Sequence, residues 1–178
     1  HTSRAKLASI NFDAAKYCWE VSAFNKAERM LQNGIGALNP VERWSDEHCA
    51  LTCELMETLA RTQLIIGDFG ACKDTTRKAL CHSKTAEMKT KLLLVDVEVR
   101  MAANEVNDAI SAANRALKSL GIKMPRKAKL PHIVAKLVKV KLMLRRKTDE
   151  DILDLLFTED QLASNAVKLL MHVCTYCL

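Results

Sequence analysis

Aromatic residues and helix-breaking residues are both scarce in this 178-residue sequence. Aromatic side chains make up 4% of it, and it contains 5 glycines and 3 prolines. So few aromatics favour aliphatic helix packing over a β-sandwich or barrel, and the apolar content of 49% excludes a disordered or low-complexity chain. No apolar run reaches the roughly 18 residues that a membrane-spanning helix requires. The composition therefore predicts one helical domain or a short run of repeats.

Sequence motifs of common enzyme chemistry are also missing. The chain has no Gly-x-x-x-x-Gly-Lys-Ser/Thr loop, no Gly-x-Gly-x-x-Gly and no His-Glu-x-x-His. The adjacent carboxylates Asp149, Glu150 and Asp151 point in different directions on a helix, which argues against a general acid–base pair. We therefore expect no catalytic residue, no cofactor and no enzymatic activity in this chain.

The seven cysteines follow no secretory signal pattern. An odd number of cysteines within helical patterns predicts free thiols in a reducing compartment, and hence a cytoplasmic protein. Cys49 and Cys53 share one helix face, and Cys174 and Cys177 lie near His172. Because a structural zinc site usually takes four ligands from two separated pairs, we expect no metal site at either place.

Three stretches of the chain, 22–27, 67–72 and 104–109, align with one another at offsets of 45 and 37 residues. Each has a turn-forming residue two positions before a large apolar one, and a small residue three positions further on. Such spacing is typical of helical solenoids, in which two helices joined by a tight turn form one repeat. The turn formers are Ser22, Gly67 and Asn104, the large residues Phe24, Phe69 and Val106, and the small residues Ala27, Cys72 and Ala109.

The periodicity of apolar residues predicts an all-α fold of nine helices. We expect them at Lys6–Val21, Phe24–Leu38, Ser45–Ile66, Phe69–Ser83, Thr85–Ala103, Val106–Leu120, Leu130–Leu144, Asp149–Leu156 and about Asp160–Cys177. The first six form antiparallel pairs over 1–44, 45–83 and 84–121. A loop over 122–129 and then a basic helix with capping helices over 130–178 complete a single domain.

Capping residues and core residues follow from the same pattern. Ser45 is expected to cap the third helix, and Thr148 the short helix, with Asp151 in place of the glutamate of a capping box. The apolar stripe of the first helix is Leu7, Ile10, Ala14, Tyr17, Cys18 and Val21. The residues predicted to face inward are Tyr17, Phe24, Leu31, Leu59, Phe69, Leu80, Leu93, Val97, Val106, Leu117, Leu137, Val140 and Leu170.

Acidic residues are absent from Ala109 to Thr148, where 12 of the 27 basic residues lie. The rest of the chain has 15 basic and 21 acidic residues, so this stretch carries the whole positive excess. The helix Leu130–Leu144 should pack its apolar face, including Leu137, on the repeats. Its candidate docking surface for an acidic partner is Lys136, Lys139, Arg145 and Arg146.

The basic stretch has other possible interpretations. It can be a solvated helix face, a calmodulin-type target or a contact with an anionic membrane surface. Nucleic acid is a disfavoured partner for the stretch 115–147, because no aromatic residue lies between Phe69 and Phe157 to stack on bases.

Residues 104–178 resemble the tetratricopeptide-like region of large multidomain signalling proteins. The resemblance lies in the stretch Asn104–Ala109, the repeat ending Ala116–Pro125, the basic run Leu137–Lys141, the stretch Leu144–Leu153 and the closing Ala163–Leu170, with Leu64–Phe69 also fitting. In that family a predicted AAA-type or STAND-type ATPase precedes the repeats, and serine/threonine kinase, GAF or histidine-kinase domains accompany them. The stretch Leu155–Asp160 departs from the family's usual loop. The resemblance implies a right-handed tetratricopeptide-like array within a larger ATPase or kinase, and it brings no catalytic residue.

These observations together predict a non-catalytic protein-interaction and spacer module of a cytoplasmic signalling protein. The chain begins with His1 rather than Met, and we interpret it as a segment of that larger protein, monomeric in isolation. The alternative is an intramolecular domain that regulates an attached ATPase or kinase. Stacked repeats leave a concave groove lined by the first helix of each pair. Its candidate residues are Glu54, Glu57, Arg61, Lys89, Lys91 and Arg100.

Overall fold

The fold is built from α-helices throughout the part of the chain that the computed structural model describes, residues 2–122, 130–145, 147–148, 151 and 161–176. Eight helices and no strand occur in these residues, which confirms the all-α class. The helices are α1 Thr2–Glu20, α2 Phe24–Ala37, α3 Cys49–Ile66, α4 Phe69–His82, α5 Ala86–Ala102, α6 Val106–Ser119, α7 Leu130–Leu144 and α8 Gln161–Tyr176.

The three aligned turns have the same backbone geometry. Ser22, Gly67 and Asn104 each adopt a left-handed conformation, with φ of 56°, 84° and 61°. In each turn the next residue donates its N–H to the carbonyl oxygen five positions back, at 2.7, 2.9 and 2.8 Å. This is the Schellman motif, which satisfies the last carbonyls of a helix and reverses the chain. The predicted register is confirmed, because α2, α4 and α6 begin at the large residue that follows each turn.

The small residues of the repeat are all buried in the helix packing. Ala27 and Cys72 are fully buried and Ala109 is 1% exposed. A larger side chain at any of the three would push the second helix of its pair away from its neighbours, because protein interiors have few voids to take up extra atoms. The sequence pattern therefore describes real packing contacts.

Consecutive helices from α1 to α6 pack against each other, and α3 also contacts α5. The last helix, α8, packs on α5 and α6 and covers the end of the array. Its Leu169 is fully buried in one apolar cluster with Leu117 of α6 and Val97 of α5. No helix within the described residues is long and apolar enough to cross a membrane.

Most of the predicted inward residues are buried or partly buried. Leu31, Leu59, Val97 and Leu117 are buried, while Phe24, Phe69, Leu80, Leu93, Val106 and Leu170 are partly buried. The prediction for Val140 falls on a side chain outside the described residues.

The prediction for Tyr17 is wrong, because its side chain is 66% exposed. Helix α1 has two apolar faces, and the structure buries the one that contains Ala8, Phe12 and Ala15. The reason is close approach between α1 and α2, since a Cβ added at Gly34 would lie 3.3 Å from the Ala8 carbonyl oxygen. Small residues on α1 permit that approach, and the stripe with the larger side chains is left outside.

The prediction for Leu137 is also wrong, since 63% of this residue is exposed. Val134, on the same predicted inward face, is 51% exposed. Helix α7 makes no extensive contact with the other described helices. The end of the array at α5 and α6 is covered by α8 instead.

Two capping predictions have opposite outcomes. Ser45 does not cap α3, which begins four residues later at Cys49, because residues 45–48 form turns instead. Thr148 and Asp151 do form the expected capping box: the Asp151 N–H donates to Thr148 Oγ1 at 3.1 Å, and the Thr148 N–H donates to Asp151 Oδ2 at 2.8 Å. Apart from Asp151, the predicted short helix lies outside the described residues, as does Arg146.

Candidate interaction groove

The first helices of the three pairs lie side by side and share an open face. Trp19 of α1 donates its indole N–H to Thr62 Oγ1 of α3 at 2.9 Å, and α3 packs on α5. We call this face the groove. It is formed by Lys16 and Trp19 of α1, Glu54, Glu57, Thr58 and Arg61 of α3, and Glu87, Lys91 and Glu98 of α5.

Arg61 lies at the centre of the groove and joins two helices. Its Nε donates to Glu57 Oε1 at 2.9 Å within α3, and its Nη1 donates to Glu98 Oε2 of α5 at 3.2 Å. The guanidinium is planar and carries several fixed N–H donors, so it can bind two carboxylates at once. Both contacts hold the Arg61 side chain in one orientation between α3 and α5.

One cleft, of about 230 Å³, lies between α3 and α5. Lys91 Nζ is 2.8 Å from Glu87 Oε1 in this cleft. The hydrogen bond that Lys91 donates to Glu87 raises the pKa of Lys91, and the nearby charges of Glu87, Glu57 and Glu54 raise it further. Glu54 is exposed and makes no hydrogen bond or salt bridge with the residues that the structure describes. Three carboxylates against one ammonium group give this end of the groove a negative charge.

A second cleft, of about 250 Å³, lies between α1 and α3 and is lined by Lys16, Trp19, Thr58 and Arg61. The Trp19 ring is fixed here by an edge-to-face contact with Phe24, at 5.4 Å between ring centres, in addition to its hydrogen bond. An indole held in this way offers a rigid apolar surface beside two cations. This end of the groove therefore combines an apolar ring with two cations, Lys16 and Arg61, that are paired with carboxylates.

The structure brings four of the six predicted groove residues together. Glu54, Glu57, Arg61 and Lys91 lie in the groove. Arg100 lies elsewhere, in a cleft of about 670 Å³ between α4 and α5, where its Nε donates to Asp96 Oδ1 at 3.0 Å. Lys89 is exposed and lines neither of these clefts. Lys91 and Arg100 are nine residues apart and therefore lie on opposite sides of α5, one toward α3 and the other toward α4.

The cleft that contains Arg100 is charge-balanced. Each of its cations is next to a carboxylate: Lys73 to Glu105 at 2.6 Å, Arg77 to Asp74 at 2.7 Å and Arg100 to Asp96 at 3.0 Å. The hydrogen bond from Lys73 lowers the pKa of Glu105 below its usual range. This cleft is larger than either cleft of the groove, but no aromatic side chain among the described residues lines it. The groove is the better candidate site because it connects three helices and includes the fixed Trp19 ring.

The predicted basic surface is described only in part. Lys139 and Arg145 are exposed, and so are Lys141 and Lys147. The Lys136 side chain and the whole of Arg146 lie outside the described residues. The exposed cations stand beside exposed apolar side chains, namely Val134, Leu137, Val138, Leu142 and Met143.

The cysteine pair on α3 is buried rather than reactive. Cys53 lines the cleft between α3 and α5 but is 3% exposed, and burial raises the pKa of its thiol to about 11. A thiol with that pKa is protonated at neutral pH and is a poor nucleophile and metal ligand. Within the described ranges, no three His, Cys, Asp or Glu side chains form a cluster suited to a metal ion.

Sequence reasoning missed several groove residues. Glu87 could have been found, because it stands four residues before Lys91 on one helix, as Glu57 does before Arg61. Trp19, Thr58 and Glu98 gave no such signal, since their roles depend on contacts between helices that are distant in sequence.

No protein-family model, curated protein or solved structure matches this chain significantly.

Proposed function

We propose that this chain is a non-catalytic protein-interaction and spacer module of a cytoplasmic signalling protein. In this proposal the three helix pairs form a right-handed tetratricopeptide-like array, and the groove on α1, α3 and α5 binds a peptide segment of a partner. The repeated Schellman turns support the array, because repeats of this kind stack with each unit contacting its neighbours and leave an elongated concave surface.

The observation that carries the proposal is the position of Arg61. It is bound by two carboxylates, half-buried, and lines the cleft between α1 and α3. Partly exposed ion pairs add little to the stability of the fold. Stability therefore does not explain why Arg61 and its two carboxylate partners lie between α3 and α5. Rigid, preorganised arginine and tryptophan side chains are instead typical of residues that dominate binding energy at protein interfaces.

The charges of the groove indicate the chemistry of the ligand. One end has Glu54, Glu57 and Glu87 against Lys91, and the other has Lys16 and Arg61 beside Trp19. Complementary charges orient a bound segment and set its direction in the groove. The expected ligand is a peptide with basic residues at one end, an apolar side chain for the Trp19 surface, and an acidic residue near Arg61.

A displayed library of random peptides tests the proposal, because selection does not require the partner to be identified. Selection on the wild-type chain should enrich peptides with this charge pattern. Photo-crosslinking residues placed at Thr58 and, as a control, at Lys78 on the exposed side of α4 should capture these peptides at Thr58 alone. Peptides that crosslink at Lys78, or a selection that enriches none, would refute the groove as the binding surface.

A second binding surface is supported by α7. Its described residues expose cations and large apolar side chains together, as on a helix that docks against an acidic, partly apolar partner surface. Binding at α7 should weaken steeply with salt, because charges at an exposed interface are screened within about 8 Å at physiological ionic strength. Lys139→Glu should abolish this binding and leave peptide binding in the groove unchanged.

A further inference from the structure

The outer face of α1 carries an exposed stripe of apolar side chains. Leu7, Ile10 and Tyr17 of this helix, and Val21 directly after its end, are between 51% and 66% exposed, and Ala14 lies among them partly buried. This stripe is nearly opposite the buried face of Ala8, Phe12 and Ala15, and it is separate from the groove. Exposed apolar patches of this kind on a folded protein mark interaction sites.

The spacing of the stripe is that of a coiled-coil seam. Its residues alternate at intervals of three and four, as apolar positions do when one helix packs lengthwise on another. Leu7, Ala14 and Val21 take one set of seam positions, and Ile10 and Tyr17 take the other. The stripe therefore fits a helix as its partner, in preference to a flat sheet or an irregular loop.

We infer that the occupant of this stripe is α1 of a second copy of the chain, packed antiparallel about a two-fold axis. In that arrangement Leu7 of one copy meets Tyr17 of the other, and Ile10 meets Ala14. Each layer combines one larger and one smaller side chain. A two-fold interface must be self-complementary in this way, because each residue meets its partner twice.

The charges beside the stripe are self-complementary at its ends. Lys6 and Glu20 both flank the same edge of the stripe and are exposed. When two copies run antiparallel, Lys6 of each copy faces Glu20 of the other, which gives two opposite-charge pairs per dimer. Flanking charges of this kind set partner choice and orientation in helix pairs. A parallel arrangement would place this edge of the two copies on opposite sides of the interface, so Lys6 and Glu20 would form no such pair.

Asp13 offers a further test of antiparallel packing. It lies between Lys6 and Glu20 on this edge, so antiparallel packing brings the Asp13 carboxylates of the two copies near each other at the axis. Lys16 Nζ, at 3.6 Å from Asp13 Oδ1, offsets part of that repulsion. Removing the Asp13 charge should therefore tighten the dimer, a result that no docking of an unrelated partner predicts.

Sedimentation equilibrium of the 178-residue chain tests this inference across concentrations from micromolar to millimolar. A seam of four large side chains per copy is below the size of a stable interface, so we expect a weak, reversible dimer. Leu7→Glu should weaken it at least about tenfold, by placing a charge in the apolar seam. Val41→Glu, at a residue 85% exposed and off the stripe, is the matched control and should leave the dimer unchanged.

Charge exchange tests the orientation. Lys6→Glu and Glu20→Lys should each weaken the dimer by about three- to tenfold, and the double variant should restore it. Asp13→Asn should strengthen it. Circular dichroism should show that all variants remain folded. A chain that stays monomeric at every concentration, a dimer indifferent to Leu7→Glu, or a double variant that is not restored would each overturn the inference, and the first would assign the stripe to a different partner.

Discussion

Arg61 of α3 and Glu98 of α5 are joined by a hydrogen-bonded ion pair, with Nη1 and Oε2 3.2 Å apart. The two side chains are 31% and 22% exposed, so solvent screens the pair only in part. We expect a coupling free energy of about 0.5–1 kcal/mol in a double-mutant cycle of Arg61→Ala and Glu98→Gln, measured by urea unfolding. The pair Arg77–Asp74, whose side chains are 73% and 60% exposed, should give less than half of this value. Equal coupling free energies for the two pairs would show that Arg61 is held no more firmly than an exposed surface arginine.

Substitution by alanine is expected to have opposite effects at two glycines, one in a Schellman turn and one within a helix. Gly67→Ala should destabilise the protein by about 1 kcal/mol, because Gly67 has a φ of 84° that a Cβ disfavours. Gly36→Ala should stabilise it by about 0.5–1 kcal/mol, since Gly36 lies within α2 and a Cβ there would meet nothing within 4 Å. Thermal unfolding monitored by circular dichroism measures both, and effects of the same sign would contradict this account of the turns.

The buried small residues predict a size limit at each repeat. Ala27→Leu should destabilise the protein by about 1–3 kcal/mol, because Ala27 is fully buried and the added atoms must displace α2. Lys26→Leu, at the exposed neighbouring position, should change the unfolding free energy by less than about 0.5 kcal/mol. Chemical denaturation compares the two, and a tolerated Ala27→Leu would mean that the helices of the first pair are not in close contact.

Leu137 is exposed, whereas the sequence predicts that it faces inward. Leu137→Asp should alter the unfolding free energy by less than about 0.5 kcal/mol, because its side chain already faces solvent. Leu169→Asp, which places an unpaired charge in the fully buried cluster of α5, α6 and α8, should cost at least about 3 kcal/mol. A strong destabilisation by Leu137→Asp would show that α7 packs on the repeats after all.

Burial of Cys72 predicts a loss of stability at alkaline pH. Burial raises the pKa of this thiol from 9.0 to about 11, so the unfolded chain loses the proton at lower pH than the folded chain does. The stabilisation is complete below pH 9 and is lost as the pH rises through about 11. Unfolding of wild type and Cys72→Ala at pH values across this range should show a steeper fall for wild type. Parallel curves would contradict a buried neutral thiol.

The repeat register was predictable from sequence because it depends on local chemistry. A turn former at Ser22, Gly67 or Asn104, followed by a large residue, determines where one helix ends and the next begins. The choice of buried face on α1 was not predictable, since two apolar stripes compete and the outcome depends on Gly34 of α2. The sequence likewise did not show that α8, rather than α7, packs on α5 and α6.

The groove was predictable only where it depends on residues of a single helix. Ion pairs within one helix, such as Glu57–Arg61, follow from a spacing of four residues. Contacts between helices, such as Trp19 with Thr62 and Arg61 with Glu98, require the packing of α1, α3 and α5. Position along α5 shows that Lys91 and Arg100, nine residues apart, lie on opposite sides of that helix, but not which side faces α3.

The affinity of a selected peptide for Arg61→Ala, relative to Arg77→Ala, tests the central proposal most directly. Arg61 lies in the groove and Arg77 lines the separate cleft between α4 and α5, and both are paired with carboxylates of their own helices. Fluorescence anisotropy should show that Arg61→Ala weakens binding at least about tenfold, whereas Arg77→Ala changes it less than about twofold. Equal affinities of both variants and wild type, or a greater loss with Arg77→Ala, would contradict the groove as the binding surface of this protein.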